Sequence, residues 1–161
     1  MIMISRYQIK ERNGRRYIVS YEHNVCPICS GILNVIGTRN RMVIDSGGTP
    51  VSVTIRRLRC RGSCGRIHHE LPDIMIPYKR HCADTIEKII TGSEDGVDCD
   101  GSTIIRIREW WAAWMLYFKS ILASLREKHG VAVSVSAPRE IVRAVANAHL
   151  WPHTRSAFLP A

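Results

Sequence analysis

The chain has 161 residues, 45% hydrophobic and 23% charged, which is the composition of a folded protein with one medium or two small domains and excludes wholesale disorder. Its formal net charge of +9 is unevenly placed: residues 1–81 hold 14 Lys/Arg against 5 Asp/Glu, and residues 82–161 hold 9 against 9. No apolar run is long enough to cross a bilayer, and Met1-Ile2-Met3-Ile4-Ser5-Arg6 lacks the features of a signal peptide, so a cytoplasmic protein with no membrane partner is expected.

Residues 7–21 read as a β-hairpin, with Asn13-Gly14 as the turn pair that tolerates positive φ at both central positions. Next comes the first of two cysteine pairs, Cys26-Pro27-Ile28-Cys29. Residues 32–36, 42–45 and 51–55 then predict three short strands, with turns at 37–40 and 45–48. Beyond the alternating Val51-Ser52-Val53-Thr54-Ile55, residues Arg57, Arg59 and Arg61 share one parity and Arg56 has the other. The second pair, Cys60-Arg61-Gly62-Ser63-Cys64, closes this part. Residues 66–77, with Pro72 and Pro77, read as an extended connector.

From residue 78 the pattern turns helical, with Cys82, Ile86, Ile89 and Ile90 at three- and four-residue spacings up to Thr91-Gly92. After an acidic loop, Ser102 is the expected N-cap of a second helix. Its stripe is Ile104, Ile107, Trp111, Trp114, Phe118, Ile121 and Leu125, ending at His129-Gly130. Residues 131–135 suggest a short strand or extended link, and Pro138 opens a third helix. The apolar tail at 150–158 is expected to pack back onto the helices. The fold class that follows is α+β: a β-rich zinc ribbon over residues 1–76, then a small helix-turn-helix-like domain over 77–161.

Thiolates need a cation to justify burial, and two tight pairs 30 residues apart converge four of them without a large core. Cys26, Cys29, Cys60 and Cys64 are therefore the expected ligands of one structural Zn²⁺. An all-cysteine set leaves no open position for water, so a catalytic role is not expected. His68 or His69 could substitute for a ligand if the longer Cys60–Cys64 spacing displaces one; the alternative is that both lie on the ribbon surface or bond a carbonyl. Cys82 reads as a small core residue, and Cys99 lies in an acidic loop that disfavours its thiolate. The tryptophans could stack on bases, but at helical spacing they read as core.

With the cysteine pairs, Arg57-Leu58-Arg59-Cys60 and Cys64-Gly65-Arg66-Ile67-His68-His69-Glu70-Leu71-Pro72-Asp73 in view, the chain resembles a bacterial family of uncharacterised zinc-ribbon domains. That family is similar to the N-terminal zinc-binding and helix-turn-helix region of insertion-sequence transposases. The likeness spans roughly residues 24–115. It implies the same four zinc ligands, although the second knuckle holds three intervening residues where the family has two. It also implies recognition of DNA, and, since such transposases continue into a nuclease domain for which this chain has no room, a DNA-binding module without the cutting machinery is expected.

The expected function is duplex DNA binding by a transposase-like recognition module, as a regulator or mobile-element accessory factor. Phosphate contacts are expected from Arg39, Arg41, Arg56, Arg57, Arg59, Arg61, Lys79 and Arg80, and base contacts from Thr103, Arg106 and Arg108 at the start of the second helix. The alternatives are a protein-interaction scaffold built on the ribbon and a single-strand or RNA binder. A solvated basic surface that aids solubility would explain the charge alone. No catalytic constellation stands out, so neither an enzyme nor a small-molecule substrate is expected; a homo-oligomer is possible.

Overall fold

The computed structural model describes residues 1–130 and 137–152. The segment expected to be extended at 131–135 and the tail beyond Pro152 lie outside them. The described residues form a mixed α+β fold with one six-stranded sheet and three helices. In chain order these are β1 (Ile2–Ile4), β2 (Tyr7–Arg12), β3 (Arg15–Ser20), β4 (Leu33–Ile44), β5 (Pro50–Cys60), β6 (Ile67–Pro72), α1 (Ala83–Thr91), α2 (Gly101–His129) and α3 (Pro138–Asn147).

The first hairpin forms where Asn13-Gly14 predicts it. Both turn residues have positive φ, 51° and 67°, and β2 pairs with β3 from Tyr7–Ser20 to Arg12–Arg15. Between the cysteine pairs the outcome differs from the three short strands expected. Two long strands pair antiparallel from Leu33–Cys60 to Ile44–Pro50, and β4 runs straight through residues 37–40. Gly37, at φ 146°, makes a bulge where the register shifts, a backbone setting open to glycine. Gly37-Thr38-Arg39-Asn40 has turn chemistry, but the ladder on either side overrides it. Across that ladder the Thr54 hydroxyl donates to Asn40 Oδ1 at 2.9 Å. The real turn is at Asp45, whose carboxylate accepts from the N–H groups of Gly47 and Thr49.

Strand β5 is the centre of the sheet. Along one edge lies β4; the other is shared by β3, parallel at Arg16–Val53 and Tyr17–Thr54, and β6, antiparallel from Arg57–His69 to Arg59–Ile67. The expected connector at 66–77 is thus partly a ladder strand. On its far side β1 adds in parallel, from Ile2–Glu70 to Ile4–Pro72.

Helix α1 starts at Ala83, later than its periodicity suggests, because residues 76–81 form a loop closed by the Met75–Cys82 bridge. Gly92 and Gly130 end α1 and α2 in the left-handed conformation. The cap of α2 is Asp100 rather than Ser102. Its carboxylate accepts from the Thr103 N–H at 2.8 Å, and the Ser102 hydroxyl donates into the same carboxylate.

One contiguous core joins the sheet to the helices. Ile4, Val53 and Ile55 from the strands meet Ile86, Ile89, Phe118, Ile141, Val142 and Val145 from the helices, all fully buried. Each such side chain contributes about 1.5–3 kcal/mol on leaving water. The stripe of α2 is core as its spacing predicts: Trp111 and Trp151 pack on Phe118 with ring centroids 5.5 Å away in each case. Asn147 fastens α3 to β1, accepting from the Met3 N–H at 2.6 Å and donating to the Met3 carbonyl at 3.0 Å. Cys82 is buried in this core.

Candidate metal centre and basic surface

The first knuckle is built on the backbone of Cys26. Its N–H donates to the Gly31 carbonyl at 2.9 Å and its carbonyl accepts from Ser30 at 2.8 Å. Ser30 takes φ 55° to close the turn, and Val25 bridges to Ile32. In the second knuckle Cys60 donates to the Arg66 carbonyl at 2.9 Å, and the Gly62 N–H points at Cys60 Sγ, 3.2 Å away. Gly65, at φ 58°, completes the tighter curve that takes up the additional residue.

The two turns meet glycine to glycine. A Cβ on Gly31 would lie 2.8 Å from the Gly62 Cα and 3.0 Å from Cys60 Sγ. That close approach brings the sulfurs of Cys26, Cys29, Cys60 and Cys64 within 4.8 Å of one another. Cys26–Cys64 and Cys29–Cys60 are each 3.4 Å apart, too far for a disulfide and near the roughly 3.8 Å edge of a tetrahedron with 2.3 Å metal–sulfur bonds. The residues present fit a four-coordinate thiophilic ion, and zinc is compatible with the set. The one-residue stretch between Cys60 and Cys64 leaves the donor count intact.

Protonation in this cluster is divided. Backbone N–H groups of Cys64 and Gly31 aimed at its sulfur hold the Cys29 thiol down to about 6, whereas burial pushes Cys60 up to about 12. A divalent cation bound among the four sulfurs would hold all of them as thiolates. His68 lies outside the four but touches them: its Nε2 is 3.4 Å from Cys26 Sγ. Burial pulls this imidazole down to about 4, so it is neutral and can donate one N–H to the sulfur.

Strands β4 and β5 carry five arginines and no acidic residue. Their register places Arg39 opposite Ile55, Arg41 opposite Val53 and Arg57 opposite Gly37, with His69 across from Arg57 on the other side. Arg56 is set apart from them. Its Nε and Nη2 donate to the two Glu70 oxygens at 2.5 and 2.8 Å, and that carboxylate is buried. Arg59 and Arg61 are exposed, Arg61 within the second knuckle. Lys79 and Arg80 sit in the 76–81 loop, and the Lys79 ammonium lies 3.8 Å from the Trp110 ring centre.

At the start of α2, the Thr103 hydroxyl donates to Asp100, and Arg106 returns to the Ser102 carbonyl and hydroxyl. Arg108 pairs with Glu94 and reaches the Ile89 carbonyl. Cys99 is 3.4 Å from His81, with its thiol pushed up by burial and by Asp100 and Asp98. Sequence reasoning missed two contacts of this surface, Glu70 under Arg56 and His69 beside Arg41. Both depend on the register between strands far apart in the chain.

No helix among the described residues is long and apolar enough to cross a membrane. No curated protein and no solved structure matches the chain. Residues 26–107, which hold all four convergent cysteines and the arginine-bearing strands, match the family described as Domain of unknown function (DUF6431), and over this half of its length the chain belongs to that family.

Proposed function

We propose that this protein is a zinc-stabilised duplex DNA-binding protein, a recognition module of the kind that precedes the nuclease of insertion-sequence transposases, serving as a regulator or accessory factor. The observation that carries this reading is the β4–β5 ribbon, which bears Arg39, Arg41, Arg57 and Arg59 and no carboxylate. A two-stranded ribbon fits the major groove, and guanidiniums along it reach phosphates and base edges. Zinc pins the end of the ribbon at Cys60. The first turns of α2, with Thr103, Arg106 and Arg108, are the second contact in the helix-turn-helix form of this reading.

A mobility-shift titration of the zinc-loaded chain on duplex DNA tests it. With four ribbon arginines on phosphates, the plot of log affinity against log salt should fall with a slope of about −3.6. Charge reversal at Arg57 and Arg59 should abolish the shift. No binding at low salt with zinc supplied rejects the reading. The second reading, an interaction scaffold, is favoured by Leu116, which α2 leaves 81% exposed; it expects a complex that survives high salt and the same charge reversal.

A further inference from the structure

We propose that the cavity between the end of β4 and the 76–81 loop binds a nucleotide, its phosphate held by Arg41, Lys79 and Arg80. The cavity encloses about 600 Å³, within the roughly 300–1,000 Å³ range of small-molecule sites. Its lining has two chemical characters that match the two parts of such a ligand. Arg41, Lys79 and Arg80 supply cationic groups beside His69, whose imidazole burial and Arg41 keep neutral, and the lining contains no carboxylate. Met42 and Met75 belong to an apolar wall on which a planar base can lie, thioethers being soft and adaptable partners for a ring.

The cations come from separate parts of the chain, and the backbone that carries them is tied together. Ile44 donates to the Arg80 carbonyl at 2.7 Å and accepts from Cys82 at 2.8 Å, which fastens the loop to the end of β4. Within that loop Lys79 donates to the Ile76 carbonyl, and Tyr78 holds φ 62°, a left-handed setting uncommon for a residue with a side chain. Arg41 Nη2 contacts His69 Nδ1 at 3.2 Å, while its Nε is enclosed without a hydrogen-bond partner. An enclosed guanidinium donor without a partner is a cost that an anion removes. None of the ion pairs among the described residues involves Arg41, Lys79 or Arg80. Burial draws the Lys79 ammonium down to about 8, while the Trp110 face beside it favours the charged form.

None of the sequence motifs foretells this ligand. It goes beyond the duplex-binding reading: of the ribbon arginines the site uses Arg41 alone, and the rest of it is the cavity and the 76–81 loop. The nucleotide can be free or the phosphorylated end of a strand, and the test separates the two. Calorimetric titration of the zinc-loaded full chain uses adenosine 5′-monophosphate, adenosine and a short 5′-phosphorylated single strand. The monophosphate should bind, with adenosine at least about tenfold weaker, the loss expected when charge-assisted phosphate contacts are absent. Arg41→Gln and Lys79→Gln should each weaken the monophosphate by about tenfold. Arg80→Gln, at an exposed position, should do so with an unchanged melting temperature.

Competition between strand and monophosphate supports the site with a strand end as its source. Monophosphate binding without such competition supports it with a free nucleotide. No monophosphate binding at millimolar concentration overturns the proposal, as does equal binding of adenosine or indifference to all three substitutions. A chain that binds duplex but no monophosphate overturns only this inference, and the converse overturns only the duplex reading.

Discussion

Arg56 and Arg59 look alike in the sequence, three residues apart in one arginine-rich strand, yet they do different work. Arg56 forms a forked pair with Glu70, whose side chain is 1% exposed, so removing the guanidinium strands a buried carboxylate. Because the Arg56 side is 30% exposed, the loss should sit at the low end for such pairs, about 3 kcal/mol. For a chain of this length that is a drop of roughly 6–12 °C in melting temperature. Arg56→Ala should show it by calorimetry, and Arg56→Met combined with Glu70→Met should recover most of it. Arg59→Ala, on an exposed side chain, should stay within about 0.5 kcal/mol of the parent and act on DNA affinity instead. Equal melting of the two single variants would refute this division. Strand parity separates Arg56 from Arg57 and Arg59, and that much is legible in the sequence. Its partner is not, since Glu70 is named only by the pairing of β5 with β6.

Among the elements, those with a strong local signal are legible and those made by distant pairing are not. Asn13-Gly14, Gly92, Gly130 and Pro138 each mark a boundary through backbone geometry that few other residues share. The bulge at Gly37 misleads because its composition is that of a turn, and the ladder to β5 decides otherwise. Helix α2 starts on a cap whose protonation can be followed. Asp100 accepts from the Ser102 hydroxyl, the Thr103 hydroxyl and the Thr103 N–H, and these bonds hold its carboxyl well below the usual carboxylate range. A carboxyl depressed in the folded state stabilises it above the ordinary value near pH 4, and the contribution fades as pH falls toward the folded value. The melting temperature should therefore decline below about pH 4 by an amount that Asp100→Ala removes. Parallel pH profiles for parent and variant would show that the cap contributes nothing.

In the whole molecule, the metal centre and the core are neighbours rather than one unit. The contiguous core runs from β1 through β5 and β6 to α3 and includes none of the four cysteines, although Cys26 and Cys60 are buried. Neither the core's reach across both halves nor the parallel pairing of β1 with β6 is legible in the sequence, because each joins segments that share no local pattern. The cysteine cluster is legible, because its spacing states its chemistry directly. This separation fixes what metal removal should do. On the proposed zinc reading, removing the ion takes from the thiols of Cys29 and Cys60 their common partner and from the Gly31–Gly62 approach a cross-link beside it. The top of the β4–β5 ribbon should then open, while the helices remain on the sheet. Addition of a strong chelator should release one metal ion per chain and expose four reactive thiols. It should abolish duplex binding while leaving most of the far-ultraviolet helical signal in place. Restoring zinc should reverse all three changes, and cobalt should give the absorption of a tetrahedral thiolate site. Loss of the helical signal in the same step as the metal would mean that the centre and the core fold as one cooperative unit. Arg57 and Arg59, between that centre and the rest of β5, would then depend on zinc through the whole fold rather than through the ribbon alone.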